Sequence, residues 1–153
     1  MDRALVVVDD SEVDRRLVAE AAAYARGNDV HLEFLTLLDA SEFDRDADVI
    51  ATIGHAEHTS YDEDVILDSA RDFVENLIGE ELDSPPENYT ADAAIVEDDD
   101  DRADYVLNEA AERDCSHIFL AGRKRSPAGK ALFGDVVQRV ILNFDGPVTV
   151  ITA

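Results

Sequence analysis

Five short apolar runs alternate with four amphipathic segments along this chain, and that alternation leaves few folds open. Ala4 to Val8 is the first run, rich in β-branched residues and suited to a buried strand. Asp9, Asp10 and Ser11 stop it, and Ser11 is placed to cap a helix on which Val13, Leu17, Val18, Ala21, Ala22 and Ala25 share a face. The pair Gly27-Asn28 is expected to end that helix by accepting a left-handed residue. Val30 to Leu38 is the second run, closed by Asp39. Val65, Ile66, Ser69, Ala70, Phe73, Leu77 and Ile78 then recur at helical spacing, and Pro85-Pro86 breaks the chain after that segment. Tyr89 to Val96 predicts a third strand, and residues 101–113 a helix with Ala103, Val106, Leu107 and Ala110 inward. His117 to Ala121 is a fourth strand. Val136, Val137, Val140, Ile141 and Phe144 mark a last helix, and Pro147 opens the final strand V-T-V-I-T. Residues 39–60 fit neither period, except that Val49 to Ile53 suits a short element of its own.

The order β-α-β-α-β-α-β-α-β predicts a parallel sheet with helices on both faces. The expected architecture is a three-layer α/β/α open sandwich with a five-stranded parallel sheet, Rossmann-like in outline. At 153 residues the chain is read as a single domain, 1–153. Ligands in such sheets sit beyond the carboxyl ends of the strands, where strand order reverses. Asp9, Asp39 and Gly122 all fall at expected strand carboxyl ends.

Charge is distributed in a way that marks one of those ends. The stretch Gly122 to Arg139, G-R-K-R-S-P-A-G-K-A-L-F-G-D-V-V-Q-R, carries a local charge of +4, while the rest of the chain carries −27. A basic, glycine-punctuated loop between a strand and a helix is how a backbone cradles phosphate, so an anion is expected there. The overall charge of −23 has the wrong sign for a nucleic-acid partner. Lysine is nearly absent, with Lys124 and Lys130 against eleven arginines. Such acidity self-repels in dilute buffer and is screened in molar salt, where the Debye length is about 3 Å. The composition therefore reads as that of an extreme halophile, with an acidic interaction surface as the alternative. No run reaches the roughly 18 apolar residues that span a bilayer, and acids close the first apolar stretch too soon for a signal peptide. A cytoplasmic protein is expected.

The layout, the aspartate closing the first run in V-V-V-D-D-S-E, and the segment G-R-K-R-S-P-A-G-K-A-L-F-G-D with G-P-V-T-V-I after it resemble a universal stress protein domain over essentially the whole chain. The resemblance implies an adenine-nucleotide-binding type of fold. It also implies binding of ATP with Mg²⁺, a regulatory role without substantial turnover, and a homodimer through the final strand Val148 to Thr152. Carried over by position, Asp9 would bond the adenine amino group and Leu37 would line its pocket. Gly122 and Gly134 match the first and last glycines of the phosphate loop. Arg123, Arg125, Ser126, Gly129 and Lys130 lie between them as candidate phosphate contacts.

Three positions depart from the family pattern. Arg125 stands where the second glycine belongs, and Asp10 replaces a glycine common in the first turn. Asp135 stands where a serine or threonine would touch phosphate. A carboxylate at a helix amino terminus takes the place the dipole offers to an anion. It also repels phosphate by about 4 kcal/mol at 4 Å in an effective dielectric near 20. Arg123, Arg125, Lys130 or a bridging Mg²⁺ would offset that; otherwise Asp135 simply caps its helix.

The remaining candidates carry less. His55 and His58 form H-x-x-H without a third ligand at regular spacing and read as surface histidines, so no metal site is assigned. Asp98 to Asp101 lack the glycine and spacing of a calcium loop. Cys115, the single cysteine, reads as a buried thiol. Ser11 and Ser41 lack a nucleophile elbow, and no catalytic residue is assigned. The pair Asp9-Asp10 is also similar to that of response-regulator receivers, but the third strand ends near Val96-Glu97-Asp98 without a clear phosphorylatable aspartate. Three functions stay open. They are a nucleotide-binding regulatory dimer, a stress-protein scaffold dimer without ATP, and a slow ATPase or autokinase, which lacks a Walker lysine.

Overall fold

Ala4, Leu5 and Val6 are completely buried because the strand that carries them, β1 (Asp2–Val7), is covered on both faces. The structure is a computed structural model describing residues 2–39, 59–83, 86, 88–97, 99–122 and 134–152. From β1 the described chain runs through α1 (Glu12–Asn28), β2 (Val30–Asp39), α2 (Thr59–Glu81) and β3 (Tyr89–Val96). It continues through α3 (Asp99–Glu112), β4 (His117–Gly122), α4 (Asp135–Asn143) and β5 (Val148–Thr152). The five strands form one sheet in the order β3-β2-β1-β4-β5, with every pair parallel. This is the expected three-layer α/β/α sandwich.

Alternate residues of each strand feed two separate cores. On one face Ala4, Val6, Leu32, Phe34 and Phe119 pack against Leu17, Val18 and Ala21 of α1 and Val74, Leu77 and Ile78 of α2. On the other, Leu5, Leu35, Leu37, Ile118 and Leu120 pack against Ala103, Val106 and Ala110 of α3 and Val137 and Val140 of α4. The helices divide between faces because strand order reverses between β1 and β4. The chain builds outward from β1 to β3 under α1 and α2, then returns to build outward again under α3 and α4.

Local chemistry sets the boundaries, with some shifts from the sequence reading. Ser11 caps α1: its Oγ accepts the Asp14 backbone N–H at 3.3 Å and donates to the Asp14 carboxylate. The helix runs through Gly27 and Asn28, and the left-handed residue that ends it is Asp29, at φ 53°. Aspartate tolerates that conformation because its short side chain bonds locally. Asn28 stays helical with its amide donating to the Tyr24 carbonyl at 2.9 Å. β2 includes Asp39, and α3 starts two residues before the expected position. Phe144 comes after α4 rather than belonging to it, and its N–H bonds the Val140 carbonyl. The expected element at Val49 to Ile53 lies outside the described residues, as do Ser41, His55 and His58.

One acid sits inside the second core. Glu33 is 3% exposed at the amino end of β2, and four groups converge on it. Arg3 of β1 donates at 3.0 Å, Arg113 after α3 at 3.2 Å, and the Thr90 hydroxyl of β3 donates too; His31 Nε2 lies 3.7 Å away. Arg113 also pairs with Glu109 at 2.8 Å and Asp92 at 3.1 Å. Burial works against the Arg113 cation, and its carboxylate neighbours outweigh it, so the guanidinium is held charged. The Cys115 thiol, buried beside this cluster, is pushed up to about 11, first by burial and then by Glu33. It is protonated at neutral pH and a poor nucleophile.

Candidate functional site at the strand-order switch

The reversal between β1 and β4 opens the sheet at its carboxyl end, and residues singled out in the sequence gather around it. β1 and β4 pair with Val6 opposite Phe119, and β1 and β2 with Val7 opposite Leu35. The Val8 N–H donates to the Leu35 carbonyl at 2.9 Å, carrying the chain past the end of the strand toward Asp9. Continued by two or three residues, the two registers set Asp9 level with Leu37 on one side and Gly122 on the other. Asp9 is exposed, and its Oδ1 accepts the Asp10 N–H at 2.8 Å. Leu37 is buried in the core beneath α3 and α4. Gly122 is buried as the last residue of β4 and pairs with Thr152.

Of the helices that begin at this end, those following β1 and β4 flank the switch, and their amino termini differ. That of α1 is closed by its own Ser11 and by Asp14, which is 2% exposed. That of α4 begins at Gly134, which has no side chain to offer and makes no side-chain cap; its carbonyl accepts the Gln138 N–H at 3.2 Å. Its first-turn amides point toward the switch with the positive end of the helix dipole. Asp135, exposed, is the first residue of that helix. An arrangement of this kind suits an anion at α4.

The structure thus brings Asp9, Leu37, Gly122, Gly134 and Asp135 to one end of the sheet. Arg123, Arg125, Ser126, Gly129 and Lys130 lie outside the described residues. The Glu33 cluster, at the opposite end, was missed from the sequence. Its sign there is a glutamate inside the apolar run Val30 to Leu38, which a strand covered on both faces tolerates only with partners. Among the described residues no group of three metal-ligating side chains forms.

The fold recurs among solved proteins. The structure matches a universal stress protein from Archaeoglobus fulgidus at 24% identity and TM-score 0.66, over 99% of this chain and 98% of that one. It matches the universal stress protein UspA of Lactobacillus plantarum at 17% identity and TM-score 0.67, over 98% and 97%. It matches a universal stress protein from Archaeoglobus fulgidus in complex with dAMP at 20% identity and TM-score 0.60, over 99% and 98%. No curated protein matches the chain in sequence. The universal stress protein family model matches residues 1–152, the span over which the sheet order and the glycine at the start of α4 were laid out. With that match along nearly its whole length, the chain belongs to the universal stress protein family.

Proposed function

We propose that this protein is a regulatory module that binds an adenine nucleotide at the strand-order switch and acts by binding rather than turnover. The carrying observation is the register of β1 with β2 and β4, which, continued past the end of β1, runs Asp9 between Leu37 and Gly122 beside the amino end of α4, where Gly134 offers no side-chain cap. In this reading Asp9 accepts the adenine amino group and Leu37 lines the base pocket. Gly122 and Gly134 let backbone approach the phosphates, and Arg123, Arg125, Ser126, Gly129 and Lys130 surround them. A relative solved with dAMP supports the ligand class. ATP with Mg²⁺ is the proposed form, the cation offsetting the charge of Asp135.

One observation favours a second reading, a scaffold that does not bind ATP. Asp135 stands exposed at the first position of α4, where it already offers the helix dipole a negative charge. The two separate by mass spectrometry of ligand carried through purification, then titration with ATP and Mg²⁺ in molar KCl, for the wild type and Asp135→Ser. Wild-type binding supports the first reading. Binding by the variant alone makes Asp135 the block and supports the second. Binding by neither removes ATP from this site.

The proposal includes a homodimer through β5. Each of its residues is half-buried, and among the described strands it pairs on one side only, with β4. A two-fold pairing of Val148 to Thr152 with a second copy would hide the edge. Light scattering in high salt checks it, and a monomer at micromolar concentration contradicts it. The acidic composition and the absence of a membrane-crossing helix among the described residues support a saline cytoplasm as its setting. Equal or greater stability in dilute buffer than in molar KCl would count against that.

A further inference from the structure

His117 opens β4 on the α1 face, and the proposed nucleotide site makes no use of it. Its ring stacks on Phe119 with centroids 4.3 Å apart and meets Tyr24 of α1 edge-on at 4.8 Å. Nε2 lies 2.8 Å from Thr149 Oγ1 on β5. The residue is 8% exposed, and its Nδ1 is buried without a hydrogen-bond partner. A neutral imidazole fits this site, because one nitrogen carries a proton and the other only a lone pair. A second proton would make both nitrogens donors and leave a buried charge at Nδ1 with no acceptor.

The groups around the ring offer such a cation no carboxylate. Tyr24 is the titratable side chain that faces the ring from α1, Phe119 faces it from β4, Thr149 from β5, and Ala4 is its register partner on β1. Burial alone lowers the basicity of the ring. The hydrogen bond at Nε2 ties the ring to β5, which is five residues long and pairs with β4. Besides Thr149, the strand is tied to α1 by Arg16, whose Nη1 donates to the Thr152 carbonyl at 3.5 Å. Short edge strands with half-exposed residues open before central ones.

We propose that His117 is an acid-released clasp for β5: a proton on the ring drives it out from against Tyr24 and Phe119, frees Thr149, and lets the strand leave the sheet. The neutral ring contributes its full stabilisation above the ordinary histidine range near 6.5 and loses it as the pH falls, since the opened state binds the proton more tightly. The clasp stands whether or not the nucleotide site does; a second copy paired with β5 would add its own protection to the strand, so the clasp acts on the monomer and is read at dilutions where light scattering finds one.

Amide hydrogen exchange in molar KCl, corrected for its intrinsic pH dependence, tests it. Between pH 7 and pH 5 the protection of β5 amides should fall, by up to about 25-fold, the limit reached when the native ring takes no proton, while that of β1 holds. His117→Phe keeps the stack but takes no proton, so its β5 protection should start lower and stay level over the same interval. An equal fall in the variant, or a fall in β1 in step with β5, overturns the proposal. If the variant does not fold, the wild-type ring resonance decides. Titration in step with the loss of β5 protection supports the clasp, and titration near pH 6.5 with β5 intact overturns it.

Discussion

The two edges of the sheet are finished by opposite chemistry. At β3 the edge carries Asp92, and arginines from both helix layers reach it, Arg71 of α2 at 3.9 Å and Arg113 beyond α3 at 3.1 Å. Arg113 continues inward to Glu33, so the clamp at this edge is anchored in a buried carboxylate. At β5 the edge is V-T-V-I-T, held by a neighbouring strand, a histidine clasp and a carbonyl contact. The helix leading to it ends near Leu142, 80% exposed. A strand edge bracketed by charge from both faces resists a second chain, whereas an apolar edge invites one. The difference teaches that one sheet can be closed at one end of its strand order and open to a partner at the other.

The comparison breaks most visibly at Arg113. Arg113→Met leaves Glu33 and Asp92 short of a cation, and unfolding in molar KCl should show a loss of about 3 kcal/mol. A change under about 1 kcal/mol would mean that Arg3 alone satisfies Glu33. At the other edge, Gly146 sits in the turn before β5, where an added Cβ would meet the Ser116 carbonyl at 2.8 Å and the Phe144 ring at 2.9 Å. Gly146→Ala should therefore cost about 2 kcal/mol, again read by unfolding. Val150→Lys puts a charge on β5, at a side chain partly buried against the second core. If the proposed β5 dimer forms, sedimentation should find the wild type dimeric and the variant monomeric, at a cost of about 2 kcal/mol to the fold. A variant that still dimerises puts the interface elsewhere. The smallest effect belongs to Asp92→Asn, about 0.5 kcal/mol, because that carboxylate is partly exposed and solvent screens it.

Most element positions were legible because they depend on neighbours in sequence. Ser11 caps α1 as its position before the apolar face implies, and Val137 and Val140 face inward as their spacing implies. The end of α1 was misplaced because Gly27 is free to adopt a left-handed conformation but need not, and Asp29 adopts it instead. At the candidate site, Asp9 and Gly122 were singled out by their place at expected strand ends, and Gly134 and Asp135 by their place in the family's loop pattern; their roles belong to the proposal. His117 and Glu33 were passed over as members of apolar runs, although each is a polar group that such a run must satisfy.

What the chain determined by itself is the alternation, and with it a parallel sheet covered on both faces, because periodicity acts over one turn or two residues. What only the tertiary structure decided is who meets whom. Arg3, Thr90 and Arg113 lie 30, 57 and 80 residues from Glu33. Val7 meets Leu35, and Val6 meets Phe119, only through strand order and register. Neither is written in any local pattern, because register is set by the fit of whole faces against their helices.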